Sequence, residues 1–170
     1  MPTTAVLGPG GVGGFLAAAL ERAGEPVVVV AHEETATHLA GSGIAVQSAR
    51  LGNFTVRPRV VSRLHEAVHT LIVATKANGL AASLGRIGTR PAVVVPLLNG
   101  LEHMDVLRRH FGPETVAAGT IRIESDRPRT GHILQTSPFL RVDLAAEHPV
   151  ARAELPPVQQ TLEGAEVPTR

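Results

Sequence analysis

Gly8-Pro9-Gly10-Gly11-Val12-Gly13 separates a short apolar run ending at Leu7 from an Ala/Leu-rich stretch opening at Val12. The spacing is G-x-G-x-x-G, placed after a strand candidate (Ala5 to Leu7) and at the start of a helix. Gly8 permits the tight turn. Gly10 has no Cβ, so a pyrophosphate can approach the backbone. Gly13 lets the helix pack closely on the strand. The helix start at Val12, just after Gly11, offers free N–H groups and a partial positive charge to phosphates. Pro9 has no N–H and cannot donate there. In a chain with 17 glycines such a run can also be a plain turn. Strand, loop, helix and second strand in order favour dinucleotide binding.

The helix is read over Val12 to Ala23 and ends at Gly24. Val27 to Ala31 then reads as a buried strand of β-branched residues. His32 follows Gly13 by nineteen residues, close to the ~20 at which a ribose meets the end of the second strand. An acid there selects NAD and an arginine NADP. Here the segment is His32-Glu33-Glu34. A protonated His32 can pair with a 2′-phosphate, Glu33 can accept from a free 2′-hydroxyl, and both glutamates also suit a helix N-terminus. The residues leave NADP and NAD open.

Further along, Glu33 to Ala40 reads as a weak helix stopped by Gly41 and Gly43. Ile44 to Ser48 and Thr55 to Val61 read as an exposed hairpin. Thr70 to Thr75 and Ala92 to Leu97 are buried strands, and Ala77 to Ile87 a helix between them. Leu101 to Phe111 is a helix with Leu101, Met104, Leu107 and Phe111 on its apolar face. Val116 to Glu124, Ile133 to Thr136 and Phe139 to Leu144 read as strands. Val150 to Leu162 is a poor helix containing Pro156 and Pro157, and Ala165 to Val167 a last short strand. Continuous apolar strands with helices between them imply an α/β fold of the Rossmann type. The sheet is doubly wound and mostly parallel, has helices on both faces, and its later strands are partly antiparallel.

The 170 residues fit one domain, and 44% hydrophobic content supports a real core. The absence of cysteine excludes a disulfide framework, a thiolate metal site and a Cys nucleophile. His65 and His69 lack a third ligand and read as surface residues. The net charge of +1, scattered arginines and four Phe with no Tyr or Trp argue against nucleic acid. The basic cluster Arg57 to Arg63 reads as one solvated strand face. No apolar run reaches the ~18 residues of a membrane span. Met1 to Leu7 lacks the features of a signal peptide. A cytoplasmic protein without a membrane segment is expected. Lys76 is the only lysine among 16 basic residues.

Three segments resemble the N-terminal cofactor domain of ketopantoate reductase (2-dehydropantoate 2-reductase): Ala5 to Gly14, Leu71 to Ala77 with Lys76, and Val94 to Gly100 with Asn99-Gly100. Gly119-Thr120 and Thr130-Gly131-His132 add a weaker fourth. The resemblance implies that Lys76 and Asn99 lie at carboxyl ends of strands, beside the nicotinamide and the keto acid. It implies NADP as cofactor, with NAD as the alternative, and a small 2-keto acid as substrate. An ammonium at Lys76 can attract a carboxylate or phosphate; the Asn99 amide can donate and accept at once. Taken alone, Lys76 is an ordinary strand-end lysine and Asn99-Gly100 a favoured turn pair.

Against the family pattern, His32 stands where arginine is frequent, Leu98 where glutamine is usual, and Asp143 where a glycine is expected. The resemblance also implies that residues 1–170 are the dinucleotide-binding domain. The family's helical domain, which supplies the general-acid lysine and most substrate contacts, is then absent. The chain alone is accordingly expected to bind a dinucleotide and reduce keto acid feebly or not at all. An uncovered docking surface allows a homodimer. The alternative function is a non-catalytic NAD(P)-binding sensor or interaction module.

Overall fold

A computed structural model describes residues 3–170; Met1 and Pro2, part of the segment read against a signal peptide, lie outside them. The chain opens with β1 (Thr4–Leu7), α1 (Gly11–Arg22), β2 (Val27–Val30) and α2 (Glu33–Ser42). It continues through β3 (Ile44–Ser48), β4 (Gly52–Val56), β5 (Arg59–Val61) and β6 (Thr70–Val73). A 3-10 turn (Ala77–Gly79) leads into α3 (Leu80–Leu84), followed by β7 (Val93–Pro96), α4 (Glu102–Phe111) and β8 (Ala118–Arg122). The last elements are β9 (Ser125–Arg129), β10 (His132–Gln135), β11 (Arg141–Ala145), α5 (Pro149–Ala153) and α6 (Leu155–Gly164).

Five strands form the central sheet in the order β5-β2-β1-β6-β7, all parallel. The chain winds outward from β1 in one direction to β2 and in the other to β6. The switch point therefore lies between β1 and β6, where open α/β sheets bind ligands. Side chains alternate between two faces, as a strand's period of two requires. Val6, Val29, Ile72 and Val95 enter one core with Phe15, Leu16 and Leu20 of α1. Leu7, Val30, Val73 and Val94 enter the other with Leu84, Leu107 and Phe111. Continuous apolar strands are thus explained: both faces are covered.

A second sheet, β4-β3-β10-β9, lies over α1. Pairing within it is antiparallel for β3–β4 and β9–β10 and parallel for β3–β10. β8 and β11 form a separate antiparallel ribbon. The partly antiparallel later strands agree with the sequence reading.

Several local expectations are corrected. The hairpin partner of β3 is β4, while β5 leaves it to join the main sheet beside β2. The helix after β6 is only α3, preceded by the 3-10 turn. Leu101 is 80% exposed and precedes α4, so it does not belong to that helix's apolar face. Pro156 and Pro157 sit in the first turn of α6, where a missing N–H costs nothing, so the stretch is two helices and not one poor one. Ala165 to Val167 is not a strand; the bridge near the end is Val142 to Thr169. His65 is exposed, but His69 is partly buried, its ring between Thr70 Oγ1 at 2.8 Å and Glu154 Oε2 at 2.9 Å. No helix among the described residues is long and apolar enough to cross a membrane.

Candidate functional site

The carboxyl ends of β2, β1, β6 and β7 stand side by side and are followed by His32, Gly8, Lys76 and Asn99 respectively. Four positions far apart in sequence thus line one edge of one sheet. Gly8 has φ +91°, a conformation that L side chains rarely adopt, and a Cβ there would sit 2.9 Å from Thr75 Cγ2. Gly10 caps α1 without a side chain, and a Cβ there would meet nothing within 4 Å. The first internal bond of α1 runs from Gly14 N–H to the Gly10 carbonyl, 2.7 Å. The preceding N–H groups of the helix therefore have no intrahelical acceptor.

A cleft of about 270 Å³ opens over this loop. Gly8, Gly10, His32 and Lys76 line it, with Arg86 and Arg127. Pro9 lines it too, whereas Gly11, Val12 and Gly13 do not. Gly11 faces β9: a Cβ would lie 2.3 Å from the Ser125 carbonyl, and Ser125 Oγ donates to the Gly11 carbonyl at 2.8 Å. Gly13 packs against the loop itself, with a Cβ position 2.1 Å from the Gly8 carbonyl. Gly11 and Gly13 thus admit protein rather than ligand, and Val12 is partly buried against the core. Asn99 lines a separate, neighbouring cleft with Leu98, Gly100, Leu101 and His103.

Arg86 was not singled out in the sequence. It lies in the turn after α3, and its side chain crosses to the end of β2. Nη1 donates to the Ser62 carbonyl at 3.0 Å and to Glu33 Oε1 at 3.1 Å. Nη2 donates to His32 Nδ1 at 2.8 Å and to Glu33 Oε2 at 3.3 Å. Nδ1 of His32 is thereby the acceptor, and Nε2 carries the ring proton. The hydrogen bond from Arg86, then Glu33's own N–H and the charge of Arg86, hold the Glu33 carboxyl below the usual carboxylate range. No local pattern distinguishes Arg86 from other arginines; only the fold brings it beside His32.

His103 is 6% exposed, and its Nδ1 has no hydrogen-bond partner. Burial pushes its pKa below the ordinary 6.5, against a smaller pull from Glu102. Between those two values the unfolded chain binds the proton and the folded chain does not, so stability falls as pH falls through that window. His103→Leu is expected to flatten this acid slope in urea melts between pH 7.5 and 5.5. An unchanged slope would show that the ring titrates normally. Asp143, at the expected glycine, is held below the usual carboxylate range despite its desolvation, through Arg170 and Arg141. It lies in the β8–β11 ribbon.

The profile of the ketopantoate reductase PanE/ApbA family matches residues 4–145. The chain belongs to this family. It is 30% identical over 136 residues to the uncharacterized oxidoreductase YkpB of Bacillus subtilis (strain 168), covering 78% of this chain and 45% of that protein. Among solved structures, 2-dehydropantoate 2-reductase from Geobacter metallireducens GS-15 superposes with a TM-score of 0.84 at 22% identity, covering 98% of this chain and 57% of that one. D-mandelate dehydrogenase, solved with NADH and anilino(oxo)acetate, gives a TM-score of 0.84 at 19% identity, covering 99% and 56%. These likenesses support the Rossmann-type fold, and the chain spans about half the length of each relative.

The residues of the cleft fit the dinucleotide that this family implies. Gly10 leaves the cradle open. Thr75 Oγ1 and Arg86 Nε are buried polar atoms without partners, both on residues of the cleft wall. Lys76, Arg86 and Arg127 bring positive side chains to the wall, Arg86 paired with Glu33 behind it, and no carboxylate among the described residues lines the cleft itself.

Proposed function

We propose that this chain binds a nicotinamide dinucleotide along the carboxyl edge of the five-stranded sheet and serves as the cofactor-holding part of a reductase of small 2-keto acids such as 2-dehydropantoate. The observation that carries this reading is the row formed by His32, the Gly8 loop, Lys76 and Asn99 on four adjacent strands. Its order suits an extended ligand laid across the switch point, adenosine end at His32 and nicotinamide end towards Asn99. Gly8 makes the tight turn and Gly10 admits the pyrophosphate to the backbone, and the start of α1 faces it with its partial positive charge. Lys76 offers an ammonium to phosphate or substrate carboxylate. The Asn99 amide holds a ribose or keto oxygen by donating and accepting together. When bound, the nicotinamide supplies hydride to the keto carbon. NADPH is the cofactor proposed, with NADH as the competitor.

Protonation of the new alkoxide needs an acid close to the keto oxygen. Lys76 is the only titratable side chain proposed here to touch the substrate. General acid catalysis contributes typically 10²–10⁴-fold. The 170-residue chain is therefore expected to bind NADPH while turning over 2-dehydropantoate at roughly 10² or more below a full-length reductase. Cofactor fluorescence titration and NADPH consumption with ketopantoate measure the two separately. Binding without turnover, even with a supplied second domain, would favour a non-catalytic sensor. No binding at all would remove the reading.

A further inference from the structure

The cleft wall holds three cationic side chains, Lys76, Arg86 and Arg127. One of them, Arg86, meets His32 beside the end of β2, with Glu33 as its only carboxylate partner among the described residues. That end is where the adenosine ribose of a dinucleotide comes to rest. Resting on the reading of the cleft as a dinucleotide site, we propose that Arg86 is the group that recognises a phosphate on the 2′-oxygen of that ribose. The chain accordingly selects NADPH over NADH through a residue from the turn after α3.

Arg86 is held ready for this. Nη1 is anchored on the Ser62 carbonyl and Nη2 on His32 Nδ1, so the guanidinium plane is fixed across the cleft end. Its carboxylate partner, Glu33, is 69% exposed and does not line the cleft, whereas Arg86 is 16% exposed. Glu33 can therefore swing into solvent at little cost while Arg86 stays. A phosphomonoester carries up to twice the charge of a carboxylate and matches the fork of a guanidinium, so it replaces Glu33 favourably. His32 Nε2, whose proton is not used by Arg86, supplies a further donor. A free 2′-hydroxyl offers none of this charge and leaves the Arg86–Glu33 pair in place. Glu33 thus acts as a stand-in anion that keeps Arg86 paired before the cofactor arrives.

The test compares ligands differing only in that phosphate. On the 170-residue chain, 2′,5′-ADP is expected to displace a bound fluorescent dinucleotide at concentrations at least tenfold below 5′-AMP. NADPH should bind tighter than NADH by a similar factor. Arg86→Met should weaken NADPH by roughly tenfold to a hundredfold, as loss of hydrogen bonds to a charged group does, with NADH within about twofold. Arg86→Lys, which keeps the charge and loses the fork, should fall between. Glu33→Gln should tighten NADPH by about threefold by removing the competitor. Equal displacement by 2′,5′-ADP and 5′-AMP overturns the proposal without any variant and leaves dinucleotide binding standing. Equal weakening of NADPH and NADH by Arg86→Met also overturns it. If neither dinucleotide binds, the proposal falls together with the site reading.

Discussion

Gly13→Ala is expected to abolish dinucleotide binding and to destabilise the fold by about 3 kcal/mol, at the upper end of what overpacking costs. In a chain of 170 residues this lowers Tm by roughly 6–12 °C. A Cβ at this position would lie 2.1 Å from the Gly8 carbonyl and 3.0 Å from Ala74 Cβ. Both neighbours belong to rigid parts: the Gly8 loop and the end of β6. To admit the methyl group, α1 must move off β1, which opens the turn and pulls the helix start away from the phosphates. Gly10→Ala is the matched control. Nothing lies within 4 Å of a Cβ there, and the backbone at φ −79° suits alanine. Its Tm should stay within about 2 °C while binding falls, because the added methyl meets only the incoming ligand. Differential scanning calorimetry paired with NADPH titration separates the two effects. If Gly13→Ala melts and binds like the parent chain, α1 does not dock on β1 as described.

The main sheet was legible because its strands are nearly pure Val, Leu and Ile, buried on both faces, and each is bounded by turn chemistry. Val27 to Ala31 and Thr70 to Thr75 are read to within two residues of β2 and β6. β9 was not legible. Its sequence Ser125-Asp126-Arg127-Pro128-Arg129 has no apolar alternation, and it exists as a strand because β10 and the start of α1 give it hydrogen-bond partners. β5 was half legible: Arg59 to Val61 looks like a strand, but its neighbour is chosen by the open edge of β2, a fact absent from the local pattern. The site follows the same division. Gly8, Gly10 and His32 could be named from motif and spacing and Lys76 from the family resemblance, and all four line the cleft. Gly11 and Gly13 have the right residue type for another reason, since protein backbone occupies the space their side chains would fill. Arg86 and Arg127 reach the cleft from a turn and a hairpin whose positions only tertiary structure fixes.

Lys76→Met is expected to weaken dinucleotide binding by roughly tenfold to a hundredfold, the effect of losing charge-assisted hydrogen bonds of 1.5–3 kcal/mol. Lys76 is exposed at the lip of the cleft, and its ammonium makes no hydrogen bond or ion pair among the described residues. Its backbone carbonyl accepts from Gly79 N–H at 3.0 Å, closing the 3-10 turn. The backbone is thus fixed while the side chain is free to turn towards a ligand. Removal of the charge should leave stability within about 0.5 kcal/mol, as for most surface substitutions. Lys76→Arg should restore much of the affinity through charge, though with different reach. The binding loss should shrink with rising salt, because an exposed ammonium is screened over a Debye length of about 8 Å at physiological ionic strength. Two readouts decide the role. A change in dinucleotide affinity assigns Lys76 to phosphate or ribose. Unchanged affinity with a raised keto-acid KM, in a protein that turns over, assigns it to the substrate carboxylate. If neither moves, Lys76 is a solvated strand-end lysine, and the row along the sheet edge loses its central charge.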